Sequence, residues 1–290
     1  MRSGRRWVPY AFVAPALAVF GFAVLVPMCL TVYYSTLEWN GYGTKQFVGF
    51  DNFVALAQDT LFRSSFWHVL LYIAATLVLE VGVGLVLAGL ATSGTGTRLW
   101  FRAAVFTPVM LPMVVVALLW GFIYNPDFGL VNSTLRAVGL DGLAHAWLGE
   151  KQTALWAICL VSGWAFAGFF MTIFAAALAS LPKEILEAAR LEGASEWQLF
   201  RQIKLPMIRG SLEVAALVCV TGGFQGFDLF YVLTNGGPYH ATEIPTTHLV
   251  REVFTNSNVG YGSAMAVVLT VVVVAIGLTF GRLRARREAL

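Results

Sequence analysis

Few residues in this chain are able to do chemistry, and most of them stand inside apolar runs. Glu80 interrupts Leu79-Glu80-Val81-Gly82-Val83-Gly84, and Asp228 closes Gly222-Gly223-Phe224-Gln225-Gly226-Phe227-Asp228. Polar groups set among lipid-length apolar stretches are costly, so each marks a path, an interface or a bonded partner. Gly222 and Gly226 form a GxxxG pair, the pattern that lets two helices approach closely. Three glycines beside Gln225 equally fit a helix loosened where it lines a cavity. Gln225 and Asp228 themselves point to a cavity or an interface. A second stretch, Ser162-Gly163-Trp164-Ala165-Phe166-Ala167-Gly168-Phe169-Phe170, mixes aromatic faces with a hydroxyl. Aromatic faces suit the apolar side of a sugar ring, and hydroxyls or amides suit its rim. Packing against lipid or another helix is the competing explanation.

Other chemistries lack their residues. There is no G-x-x-x-x-G-K-[ST] phosphate loop. The nearest glycine cluster, Ser93-Gly94-Thr95-Gly96-Thr97-Arg98, has no lysine and reads as a flexible loop. His68, His145, His240 and His248 are far apart and form no H-E-x-x-H pair, so no metal site is expected. No Ser-His-Asp set follows from the spacing, and the chain reads as a non-enzyme. Cys29, Cys159 and Cys219 sit in apolar runs as small core residues. No Lys or Arg falls inside an apolar run, so an anionic solute would find no countercharge there.

The elements that must hold these residues are membrane helices. Of 290 residues, 58% are hydrophobic and 12% charged, against about 25% charged in soluble domains. Six segments reach the roughly 20 apolar residues that a crossing needs: residues 8–37, 66–92, 103–124, 152–181, 212–233 and 259–281. The fold class is therefore all-α, a single polytopic domain over residues 1–290. The first segment has a basic start at Arg2, Arg5 and Arg6, and Ala16-Leu17-Ala18 looks like a cleavage site. The apolar run continues well past that point, so it reads as a retained span. With both termini cytoplasmic, 14 of the 19 Lys and Arg fall on the cytoplasmic side. Lys45, Arg63, Arg136, Lys151 and Arg251 make up the opposite side. This alternating bias supports six crossings.

One loop is too patterned to be a linker. In residues 182–210, Pro182 suits a helix start, and Glu184 and Glu187 suit its positive end. Gly193 suits a helix C-terminus. Ser195 with Gln198 forms a capping box that opens a second helix, which Pro206 is expected to end. Physics alone allows a helix lying on the membrane surface or one docked into a partner; the small residues Ala188, Ala189 and Gly193 favour docking.

Glu187-Ala188-Ala189, then Gly193, then Ile203, Leu205 and Pro206 match the spacing of the EAA signature. The chain thereby resembles the permease subunits of binding-protein-dependent ABC importers. Glu192 and the region of Arg209 and Gly210 depart mildly from that signature. Phe106-Thr107-Pro108, Pro112, Trp120, Asn125-Pro126 and Gly129 resemble the sugar-permease branch, as do Phe47 to Phe53 and Leu233 to Pro238 with Thr242. The resemblance implies an importer moving a sugar or oligosaccharide by alternating access in a prokaryotic plasma membrane, with an amino sugar or a glycerol-phosphate-type solute as alternatives. It implies a second permease forming a heterodimer, two P-loop ATPase subunits that bind ATP and magnesium, and an extracytoplasmic binding protein. No cofactor is expected in this chain, and nothing calls for nucleic acid. The EAA residues would couple to the ATPase. Ser162, Trp164, Phe166, Phe169, Gly223, Gln225 and Gly226, together with Asp228, would lie on the solute path. An ion-driven carrier or a membrane enzyme would need neither the EAA loop nor its spacing. Glu80, with few titratable neighbours, reads as structural, and Glu80→Gln is expected to keep assembly and most transport.

Overall fold

The computed structural model describes residues 8–93 and 98–288. The basic start at Arg2, Arg5 and Arg6 lies outside the described residues, as does Gly94–Thr97 of the glycine cluster. Helices dominate; among the described residues the one strand pair is Leu37–Glu38 with Gln46–Phe47, antiparallel. Among the described residues four helices are long and apolar enough to cross a membrane: Phe12–Tyr34, Thr60–Ala91, Ala154–Ala179 and Val259–Arg286.

The other two expected spans are broken. Trp100–Met110 and Met113–Ile123 meet at 100°, where residues 103–124 were expected to run as one helix. The cause is local. Pro112 removes an amide donor and pushes Leu111 out of the helical region, to φ −83 and ψ 138. The fifth expected span, 212–233, is also two pieces: Arg209–Gln225 ends at Gly226 (φ −56, ψ 118), and Asp228–Leu233 follows. The glycine cluster permits a complete break there.

The chain divides into two compact units. One takes the chain up to Thr60 together with Leu249–Val272; the other takes Leu61–His248 and the stretch from Val273. In the first unit, the side-chain amide of Asn52 donates to the carbonyls of Ser35 and Leu37, both at 2.9 Å. Tyr261 donates to Asp59 Oδ2 at 2.7 Å. The Lys45 ammonium lies 4.3 Å from the Trp39 ring centroid, within cation–π range. The helix Phe12–Tyr34 buries none of its described side chains in this chain.

In the second unit the helix Ala154–Ala179 is the central post. It is apolar all round, as a helix enclosed by other helices must be, and Ile158, Val161, Phe170, Met171 and Phe174 are buried. Around it pack Val81, Ala88 and Ala91 of the second span and Ile208, Ala215 and Cys219 of the fifth. Gly168 lets the helix Trp100–Met110 lie directly on the post: a Cβ there would strike the Val105 carbonyl. Small residues at such crossings drive association in lipid. Gly168→Ala is therefore expected to cost about 1–3 kcal/mol and to lower the thermal unfolding midpoint in detergent. Gly222→Ala, whose new Cβ meets nothing within 4 Å, leaves that midpoint unchanged. Equal midpoints for the two variants would mean that this helix does not rest on the post.

Candidate functional site: a cavity between broken helices

A cavity of about 420 Å³ opens in the second unit. Both helix breaks border it. Val109 and Met113 flank the bend at Leu111–Pro112, and Gln225 and Asp228 flank the gap at Gly226–Phe227. Tyr72, Thr76 and Glu80 face it from the second span, and Phe166, Phe169 and Phe170 from the fourth. Irregular backbone at membrane depth is tolerated where it lines a cavity, and that is where both breaks lie. The loose carbonyl of Gly226 accepts from the Thr246 hydroxyl at 2.7 Å.

Six of the eight expected path residues line this cavity: Phe166, Phe169, Gly223, Gln225, Gly226 and Asp228. Gln225 and Asp228 are exposed to it, and no hydrogen bond or ion pair among the described residues occupies either side chain. Gly223 does a second job. A Cβ on it would strike Ile73, so it, and not Gly222, lets the second and fifth spans meet.

Ser162 and Trp164 sit elsewhere. Trp164 faces a separate apolar groove with Leu79, Val83 and Leu160, and its ring packs edge-on against Trp120 at 5.6 Å. Residues 164 and 166 are two apart, about 200° around a helix, so one face holds only one of them. Ser162 is fully buried behind the wall. Its hydroxyl donates to Glu80 Oε1 at 2.7 Å. Its only proton is then committed, so the Tyr72 hydroxyl, also 2.7 Å away, donates to Ser162. Thr76 donates to the Tyr72 carbonyl at 3.0 Å, and the Cys219 thiol lies 3.7 Å from Glu80 Oε2. This network joins spans two, four and five.

Tyr72 and Thr76 line the same cavity and are not among the residues expected from the sequence. Tyr72, Thr76 and Glu80 recur every four residues, the spacing of one helix face, and that signal was available. Glu80 lies in a wide turn, Leu77–Gly82, with five-residue hydrogen bonding, a feature often found at functional positions.

The patterned loop takes the expected shape with one difference. Lys183–Leu191 is a helix with no buried residue, and Gly193 closes it at φ +86. The amides of Gly193 and Ala194 bond to the carbonyls of Arg190 and Ala189, both at 3.0 Å, which is the Schellman closure. Ser195 and Gln198 form the reciprocal capping box. Glu187 and Ala188 are exposed, Ala189 and Ile203 half-buried. Pro206 does not end the second helix. A wide turn at Leu199–Lys204 precedes it, and the helix continues through Met207. The tighter ladder that Pro206 would have broken is absent from that turn.

Residues 80–288 match the family described as binding-protein-dependent transport system inner membrane component. The chain is 38% identical to a probable ABC transporter permease protein, YurN, of Bacillus subtilis, over 93% of this chain and 94% of that one. It is 35% identical to the diacetylchitobiose uptake system permease NgcF of Streptomyces coelicolor, over 90% and 78%, and 29% identical to a probable starch degradation products permease, AmyD, of Thermoanaerobacterium thermosulfurigenes, over 96% and 94%. Its fold matches a subunit of a bacterial ABC transporter that imports the acidic polysaccharide alginate, with a TM-score of 0.86, 24% identity and coverage of 97% and 96%. The chain belongs to the family of binding-protein-dependent transport system inner membrane components, as a multi-pass, non-catalytic permease subunit of an ABC importer.

Proposed function

We propose that this subunit passes a carbohydrate through the membrane by alternating access, and that the cavity between the broken spans is part of the solute path. One observation carries this reading: the free Gln225 and Asp228 share the cavity with the aromatic rings of Phe166 and Phe169. A sugar ring stacks its apolar face on aromatics and bonds its hydroxyls to amides and carboxylates. The starch-product and diacetylchitobiose relatives support the same class of solute.

Six crossings place both termini in the cytoplasm. A second, different permease completes the pore, and an extracytoplasmic binding protein delivers the solute. Two ATPase subunits bind ATP and magnesium. The loop bearing Glu187, Ala188, Ala189, Gly193, Ile203, Leu205 and Pro206 docks on one of them. Its helix Lys183–Leu191 buries nothing in its own chain, as an element reserved for a partner would.

The first test is purification from the native cell in mild detergent. A P-loop ATPase and a second six-span permease are expected in stoichiometric amounts, and the chain emerging alone would remove the importer assembly. Two variant tests follow. In the reconstituted importer, Gly193→Pro, which forbids φ +86, and Glu187→Arg should leave membrane insertion intact and cut ATP-driven uptake about tenfold or more. Wild-type uptake in both would remove the loop from the coupling role. In a background where the three cysteines are serine, Gln225→Cys and Asp228→Cys should react with a charged, water-soluble thiol reagent about tenfold faster than Trp164→Cys, because thiol reactions in an apolar groove lose the thiolate. Equal rates would mean that the cavity is not the aqueous path.

A further inference from the structure

We infer that Glu80 is a specificity determinant of the transport cavity, set in position by Ser162, and that it favours neutral or amino-bearing carbohydrates over those carrying carboxylate, sulfate or phosphate. This rests on the carbohydrate reading of the same cavity.

The cavity wall offers acceptors and no cation. Its polar side chains include two carboxyl groups, Glu80 and Asp228, with the amide of Gln225 and the hydroxyls of Tyr72 and Thr76; no Lys, Arg or His is among the lining residues. An anionic solute entering here leaves water and meets no positive partner on this chain's side. In either protonation state a carboxyl group offers none. Like charges brought together out of water cost far more than they do in solution, which suppresses wrong partners. A hydroxyl or ammonium group instead finds acceptors.

Glu80 and Asp228 contribute differently. Asp228 is exposed and unheld. Glu80 is 6% exposed, and its Oε1 is fixed by the Ser162 hydroxyl at 2.7 Å. Tyr72 in turn donates to Ser162 and cannot also donate its proton to solute. The relay thus runs one way, from Tyr72 through Ser162 to Glu80. Among the described residues Oε2 meets only the thiol of Cys219, 3.7 Å away, and a thiol is a weak donor. Oε2 is therefore an oriented acceptor with spare capacity, on a side chain that lines the cavity. Ser162 touches no solute; it is a positioning residue acting through Glu80.

The test is equilibrium binding of three labelled trisaccharides to the purified permease–ATPase complex without its binding protein, which keeps that protein's own preference out of the comparison. The probes are chitotriose (neutral), its deacetylated amino form and trigalacturonate (acidic). Wild type should bind the acidic probe about tenfold or more weakly than the neutral one. Glu80→Gln, which keeps shape and assembly, should close most of that gap while neutral affinity moves less than about threefold. Ser162→Ala should narrow the gap partway. A merely structural Glu80 would lower the unfolding midpoint and leave the neutral-to-acidic ratio unchanged; that ratio, intact in an assembled Glu80→Gln complex, overturns the inference. So does wild type that binds trigalacturonate as well as chitotriose. Wild type that binds none of the three overturns the carbohydrate reading, and this inference with it.

Discussion

A helix can stop within a bilayer only where something other than lipid takes up its loose amides and carbonyls. That constraint organises this subunit. Among the described residues two expected spans stop short, at Leu111–Pro112 and at Gly226–Phe227, and both stops open onto one cavity. The rest of the second unit makes the stops affordable. The helix Ala154–Ala179 gives the broken pieces a continuous surface to lie on, and Thr246 caps the carbonyl of Gly226. The cavity is thus a consequence of where the backbone is allowed to be irregular.

The same constraint governs the side chains. Glu80, Ser162 and Tyr72 are buried in a region with no cation at hand. Left unpaired, each would carry a desolvation penalty of about 1–3 kcal/mol. Linked in a one-way relay they satisfy one another, and they tie together the second and fourth spans, whose apolar surfaces alone carry little orientation. Close packing complements this. Lipid gives helices no hydrophobic reason to associate, so contact depends on shape. Gly168 against Val105 and Gly223 against Ile73 bring backbones within reach of the dispersion that holds them.

Much of this was legible in the sequence, for physical reasons that differ by element. Long apolar runs and the sidedness of Lys and Arg mark membrane helices, because burial of charge in lipid leaves few alternatives. The elbow at Gly193 and Ser195 was legible because caps are local: the donor, the acceptor and the φ all lie within a few residues. Pro112 is visible too, yet a hydropathy run does not register a bend, so hydropathy alone reads the third span as continuous. The path residues were legible as a composition and not as a face. Phe166 and Phe169 point to the cavity, whereas Trp164 turns away and Ser162 lies behind the wall. Choosing among them requires the rotation of the helix, which its uniformly apolar sequence does not encode. Tyr72 and Thr76 escaped notice for the opposite reason: hydroxyls raise no alarm in an apolar run, and only their alignment with Glu80 gives them meaning.

The break in the fifth span also has a mechanical side. Its first piece, Arg209–Gln225, continues from the patterned loop with only the turn at Ile208 between them. Its second piece, Asp228–Leu233, starts afresh after the gap. A straight rod driven at one end moves at the other by the same angle. A rod jointed in the middle passes on displacement and loses torque. A push on the loop would therefore swing Arg209–Gln225 about Gly226 while Asp228–Leu233, held by the buried Leu229 and Phe230, stays seated, so that the two sides of the cavity part or close at a fulcrum lying beside whatever the cavity contains.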